Sequence, residues 1–216
     1  MAQIFHPSLN TLSKVSIFGA IFFLGAAVWA WDSVLASPYS TQVDVAREQP
    51  VPFSHKHHVN ALGIACQYCH TSVEESAFAG IPPTKTCMTC HSVVWKDAEI
   101  LEPVRESYRS DESIEWTRVH DLPDYSYFNH AIHVKKGVGC STCHGRVDQM
   151  PLMWKANTLN MNWCLECHMD PVANLRPRSE IYDMTWQEDS LSRAEKEELA
   201  ELYDVQSLTS CSVCHR

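Results

Sequence analysis

The stretch 128–144, FNHAIHVKKGVGCSTCH, decides the reading of this chain. It sets His130 and His133 ahead of Cys140-Ser141-Thr142-Cys143-His144. The same order recurs at 53–70, FSHKHHVNALGIACQYCH, where His55 and His58 precede Cys66-Gln67-Tyr68-Cys69-His70. Both copies read F-x-H-x-x-H-V, and six or seven residues separate the second His from the first Cys. Each is followed by a further C-x-x-C-H, at Cys87-Met88-Thr89-Cys90-His91 and Cys164-Leu165-Glu166-Cys167-His168. A fifth motif, Cys211-Ser212-Val213-Cys214-His215, stands near the C-terminus. The pattern is an internal repeat: two modules of two motifs each, plus one more site.

All ten cysteines fall in these five motifs. C-x-x-C-H is the attachment signature of c-type haem. Two thiols spaced three apart add to the two vinyl groups of one haem, and the next His is carried beneath the iron. The cofactor expected is therefore five haem c, with His70, His91, His144, His168 and His215 as proximal ligands. Disulfides would explain an even cysteine count, but they require no His after every second Cys. A zinc site would have to combine pairs across motifs. Iron–sulfur clusters take four Cys each, which ten does not divide into. A thioredoxin-like C-x-x-C needs a βαβ setting that the sequence lacks.

Five proximal His out of twelve leave a surplus that suits sixth ligands. His55, His58, His130 and His133 are the first candidates, because the repeat makes them equivalent. His120, in Val119-His120-Asp121-Leu122-Pro123-Asp124, is the fifth; a surface or capping His is its plainer reading. His57 is left aside, since His58 already fills the repeat position. A Met can replace one His and raise that potential; Met150 and Met161 flank the fourth motif and are the candidates. Mostly six-coordinate, low-spin iron is expected.

Upstream, 15–31 reads VSIFGAIFFLGAAVWAW, with Ser16 its one polar residue. About 17–25 such residues span a bilayer. Lys14 and Asp32 bracket the segment, and Trp29 and Trp31 suit an interface belt. The expected organisation is a cytoplasmic N-terminus over 1–14, a single-pass anchor over 15–31, a tether over 32–52 and a haem domain over 53–216. The haem domain would stand on the periplasmic side of the inner membrane. A cleaved signal peptide is the competing reading. Pro38, Pro50 and Pro52 make the tether extended. The formal charge of −9 at pH 7 excludes the basic footprint of a nucleic-acid binder.

The fold expected is mainly irregular with short α-helices, its core made largely of haem. One helix is predicted over 193–204, opened by a Ser192/Glu195 capping box. A second is predicted over 93–108, interrupted by Pro103.

The F-x-H-x-x-H spacing resembles class III multihaem cytochromes c. That resemblance implies that His55 and His130 serve the haem of the motif that follows them, while His58 and His133 reach other irons. Together with the anchor, the five motifs, 51–58, 81–87 and 119–124, the chain is similar to the pentahaem cytochrome subunit of alternative complex III. The resemblance implies an electron-transfer subunit, not itself the catalytic site, in a quinol-oxidising membrane complex. Its partners there would be an iron–sulfur subunit, multispanning subunits, a monohaem cytochrome and a soluble electron acceptor. The alternative is a stand-alone, membrane-anchored quinol dehydrogenase feeding a periplasmic reductase. A catalytic nitrite reductase would keep one iron open, which the His surplus argues against. A passive haem store predicts no reduction by quinol.

Overall fold

The computed structural model describes residues 4–215. The first three residues of the expected 1–14 segment, and Arg216, lie outside the described residues. The chain divides into two units, 1–42 and 43–216.

The first unit is one long helix, α1 (Ser8–Ala36), followed by a helical turn, α2 (Pro38–Thr41). No residue of α1 is buried, and it is apolar on all sides. Its 29 residues reach about 43 Å at 1.5 Å per residue, long enough to cross a membrane. The helix overruns both ends of the expected 15–31 span, taking in Lys14 and Asp32. The start of the expected extended tether, 32–36, is therefore helical. Backbone hydrogen bonding does not stop where hydropathy falls; α1 ends only just before Pro38, which the residue ahead of it meets in an extended conformation.

The second unit contains no strand among the described residues, only isolated bridges such as Val138–Leu175 and Ser126–His215. Its helices are short: α3 (Cys66–Cys69), α4 (Thr84–His91), α5 (Glu102–Ser110), α6 (His130–Lys135), α7 (Cys140–His144), α8 (Met161–Met169), α9 (Arg193–Leu202) and α10 (Cys211–Cys214). A π-helical turn spans Lys56–Ala61 where the second module has α6. Long connections carry the chain between these pieces.

The capping box that opens α9 forms as the sequence predicts. Ser192 Oγ accepts from the Glu195 backbone N–H, and the Glu195 carboxylate accepts from that of Ser192. The helix predicted over 93–108 is a correction. Residues 93–98 form no helix: α4 ends at His91, turns follow in which Trp95 adopts φ 55°, and α5 begins at Glu102 with Pro103 in its first turn. Proline has no N–H to lose at that position, so Pro103 starts a helix there and does not interrupt one.

Few side chains bury each other. Among the described residues ten hydrophobics are buried, and the one cluster they form, Val51, Leu101 and Val104, is small. Tyr68, Phe78, Ile132 and Met161 stand exposed near the Cys–His motifs. Apolar surface left open at this scale calls for something else to cover it. A chain made without haem attachment is therefore expected to melt gradually by far-ultraviolet circular dichroism, with a sigmoidal transition only in the haem-loaded protein. A sharp melt of the unloaded chain would show that its side chains suffice as a core.

Candidate haem-binding sites

Every C-x-x-C lies on a short helix, α3, α4, α7, α8 or α10. Residues three apart on a helix share one face, so each pair of thiols is presented together. None of the ten cysteines is joined to another in a disulfide. Burial pushes the thiols of Cys140 and Cys143 up, to about 11 and about 12.

The two F-x-H-x-x-H segments build the same local geometry from different helix types. Phe53 stacks on His58 at 4.4 Å and meets His55 edge-on at 4.9 Å. Phe128 stacks on His133 at 4.4 Å and meets His130 edge-on at 4.7 Å. The second His of each pair turns Nδ1 to the backbone carbonyl four residues back, at 2.9 Å from Ser54 O and 2.7 Å from Asn129 O. Asn129 also caps α6 through its side chain. The phenylalanines and these carbonyls are positioning groups that the motif reading passed over; their signal was the F that opens both repeats.

The motif histidines follow one rule. His70 Nδ1 lies 2.7 Å from Gly80 O, His91 Nδ1 3.0 Å from Val94 O, His168 Nδ1 2.9 Å from Leu208 O and His215 Nδ1 3.0 Å from Tyr125 O. His130 Nδ1 bonds Ala77 O at 2.9 Å. A carbonyl at Nδ1 fixes the tautomer with its proton there and leaves Nε2 free to bind a metal. Gly80 can aim its carbonyl so because it adopts φ +85°, and a Cβ there would lie 2.8 Å from Ser72 Oγ.

Across the fold these rings face one another in pairs. His58 and His91 have centroids 6.2 Å apart, His133 and His168 6.1 Å, and His130 and His144 6.3 Å with planes inclined by 7°. Two metal–nitrogen bonds of about 2 Å each, plus the radii of two imidazoles, separate ring centroids by about 6 Å. The residues present therefore fit a six-coordinate iron between each pair. His55 is half-buried, and its Nδ1 is buried without a partner. Burial, and then the nearby His70 and His58, hold it at about 4. Burial also lowers His58 and His133, keeping the neutral form that a metal binds.

His144 and His120 depart from the rule. His144 Nδ1 meets His120 Nε2 at 3.3 Å where the other motif histidines meet a carbonyl. The two rings are 4.3 Å apart, too close to hold an iron between them. Burial, then His120, His130, His70 and His55, push His144 down to about 3. His57 packs against Trp95 at 6.0 Å. Beside His215 stands the ring of Tyr125, at 5.9 Å. Met150 is 1% exposed, enclosed by protein, whereas Met161 is open at the start of α8.

The helical fold, strand-free among the described residues, and its Cys–His sites are those of multihaem cytochrome c domains, whose cofactor is covalent haem c. The comparisons agree with this in both halves. Residues 32–120 match the class III cytochrome c family, and residues 126–216 match cytochrome c7 and related cytochromes c. A relative, the multihaem cytochrome c subunit of menaquinone reductase from Nitratidesulfovibrio vulgaris, is 38% identical over 132 residues. The match covers 58% of this chain and 58% of the relative, so the chain spans little more than half of that protein's length.

Exchange of His58 or His133 for Ala is expected to leave one iron five-coordinate, giving a high-spin signal from a stoichiometric fraction of the haem. His120→Ala is expected to keep all the haem low-spin. Electron paramagnetic resonance reads both; a high-spin signal from His120→Ala would make it a ligand after all.

Proposed function

We propose that the chain binds five haem c and relays electrons for a quinol-oxidising membrane complex of the alternative complex III type, passing them to a periplasmic acceptor or oxidase. The thioether positions are Cys66 and Cys69, Cys87 and Cys90, Cys140 and Cys143, Cys164 and Cys167, and Cys211 and Cys214. Haem iron supplies reversible one-electron chemistry. His70, His91, His144, His168 and His215 would hold the iron of their own motifs, and His55, His58, His130 and His133 would be the second ligands for the first, second, third and fourth motifs in turn. Met161 serves the fifth motif, since it lies one turn before Cys164, whose thiol neighbours Cys214. His120 orients His144 and binds no iron, and Met150 stays in the protein interior.

The observation that carries the relay is the continuity of the sites. Cys87 lies within electrostatic reach of Cys69, Cys66 of Cys140, Cys167 of Cys143 and Cys214 of Cys164. All five motifs thus form one unbroken line, in the order second, first, third, fourth, fifth. Centres packed so closely exchange electrons without moving parts, and no substrate bond need be made or broken. The anchor is α1, and 43–216 stands on the periplasmic side. Membrane, iron–sulfur and multispanning subunits, a monohaem cytochrome and a soluble acceptor are the partners.

The relative's name favours a second reading, in which the same line runs toward menaquinone. Gentle solubilisation, a haem-stained native gel and mass spectrometry of the band test the assembly. The chain is expected in a large complex whose haem is reduced by added menaquinol. Reduction by a periplasmic donor, with menaquinone as oxidant, would support the reverse direction. Migration alone with retained quinol oxidation would replace both with a self-sufficient quinol dehydrogenase.

A further inference from the structure

We propose that Arg176 is a fixed, buried positive charge that raises the reduction potential of the haem carried on Cys140, Cys143 and His144. The inference rests on the reading that this motif holds haem. Arg176 is the largest fully buried side chain, at 1% exposure. Guanidinium does not deprotonate in proteins, so the charge stays, and so costly a burial asks for a reason.

Its position is specific. Nη1 donates to Ser141 Oγ at 3.1 Å and to Asp183 O at 3.3 Å; Nη2 donates to Thr142 Oγ1 at 2.9 Å and to Glu188 Oε1 at 2.7 Å. Ser141 and Thr142 are the two residues between the motif's cysteines, so one guanidinium grips the whole attachment turn. It also lies flat against the residue before Cys140: a Cβ on Gly139 would stand 2.2 Å from Arg176 Cζ. Gly139 has φ −77°, ordinary for any residue, so this glycine makes room and does not serve conformation. The Trp186 ring closes the other side, 5.6 Å from Cζ.

The charge is incompletely balanced. Glu188 pairs with Arg176 and the Asp183 carboxylate lies within its electrostatic reach, but Lys196 Nζ lies 3.7 Å from the same Glu188 carboxylate and Arg146 shares Asp183. The Arg176 and Lys196 side chains are 1% and 7% exposed, the Glu188 side chain 42%. Water screens the carboxylate more than it screens the cations. A net positive field remains behind the third motif, and Arg176 works against burial at both of its thiols. Reduction adds one negative charge to the site, which a nearby cation in a poorly screened interior stabilises.

The test is a spectroelectrochemical titration of the purified, haem-loaded full chain, with electron paramagnetic resonance to resolve the individual low-spin haems. Arg176→Gln removes the charge and is expected to lower one potential. Glu188→Gln keeps an acceptor for Nη2, removes the opposing charge and is expected to raise that same potential, leaving the others in place. A clamp that is only structural has no reason to give shifts of opposite sign. Should Arg176→Gln lose haem, Glu188→Gln decides alone. No rise in any potential, with haem stoichiometry and low-spin signals intact, overturns the inference. Peptide mass spectrometry showing no haem on Cys140 and Cys143 would instead refute the site reading beneath it.

Discussion

The rest of the structure depends on a constraint one helical turn long. Two thiols and an imidazole leave one short helix in fixed relation, and at four of the five motifs a backbone carbonyl accepts a hydrogen bond from the imidazole's Nδ1–H. The carbonyl comes from a distant segment in several cases: Leu208 for His168, Tyr125 for His215. Each site therefore pins a remote loop as well as its own helix. Where a domain of this size would ordinarily rely on sheet ladders, the described part of 43–216 joins distant segments by short helix contacts and loop-to-loop hydrogen bonds, those to histidines among them.

The same economy explains the sparse core. Hydrophobic stabilisation is proportional to apolar area removed from water, and the side chains here remove little from one another. A flat, apolar macrocycle attached at these motifs would cover the exposed aromatic and aliphatic side chains around them. Stability and function then have one origin. The contacts that close the domain are those that bring neighbouring sites together, so a change that loosens a histidine is expected to be felt both in folding and in potential.

The two modules show how much geometry a short motif encodes. A π-turn at Lys56–Ala61 and an α-helix at His130–Lys135 differ in hydrogen bonding, yet both deliver a Phe stacked on the second His and edge-on to the first. The aromatic ring, not the helix type, sets the imidazole planes. Departures from the pattern are informative in turn. His120 replaces a carbonyl with an imidazole behind His144, and Arg176 sits behind the same motif, so the third site is the one whose surroundings differ most from the others.

The attachment chemistry, the number of motifs, the repeat, the apolar N-terminal helix and the capped helix at Ser192 were legible along the chain, because each is a local pattern of residue types at fixed spacing. The start of α5 at Glu102 was legible in principle too, had Pro103 been weighed as a first-turn residue. Other features could not be read there. Which imidazole faces which, the packing of His120 against His144 and the enclosure of Met150 all depend on loops folding back across tens of residues. So does Arg176, an ordinary cation in sequence, buried only because Gly139 leaves a space the width of a guanidinium. Local spacing determines what each segment can bind; long-range packing alone determines what it meets, since loop closure, unlike a helical turn, carries no period that a sequence displays.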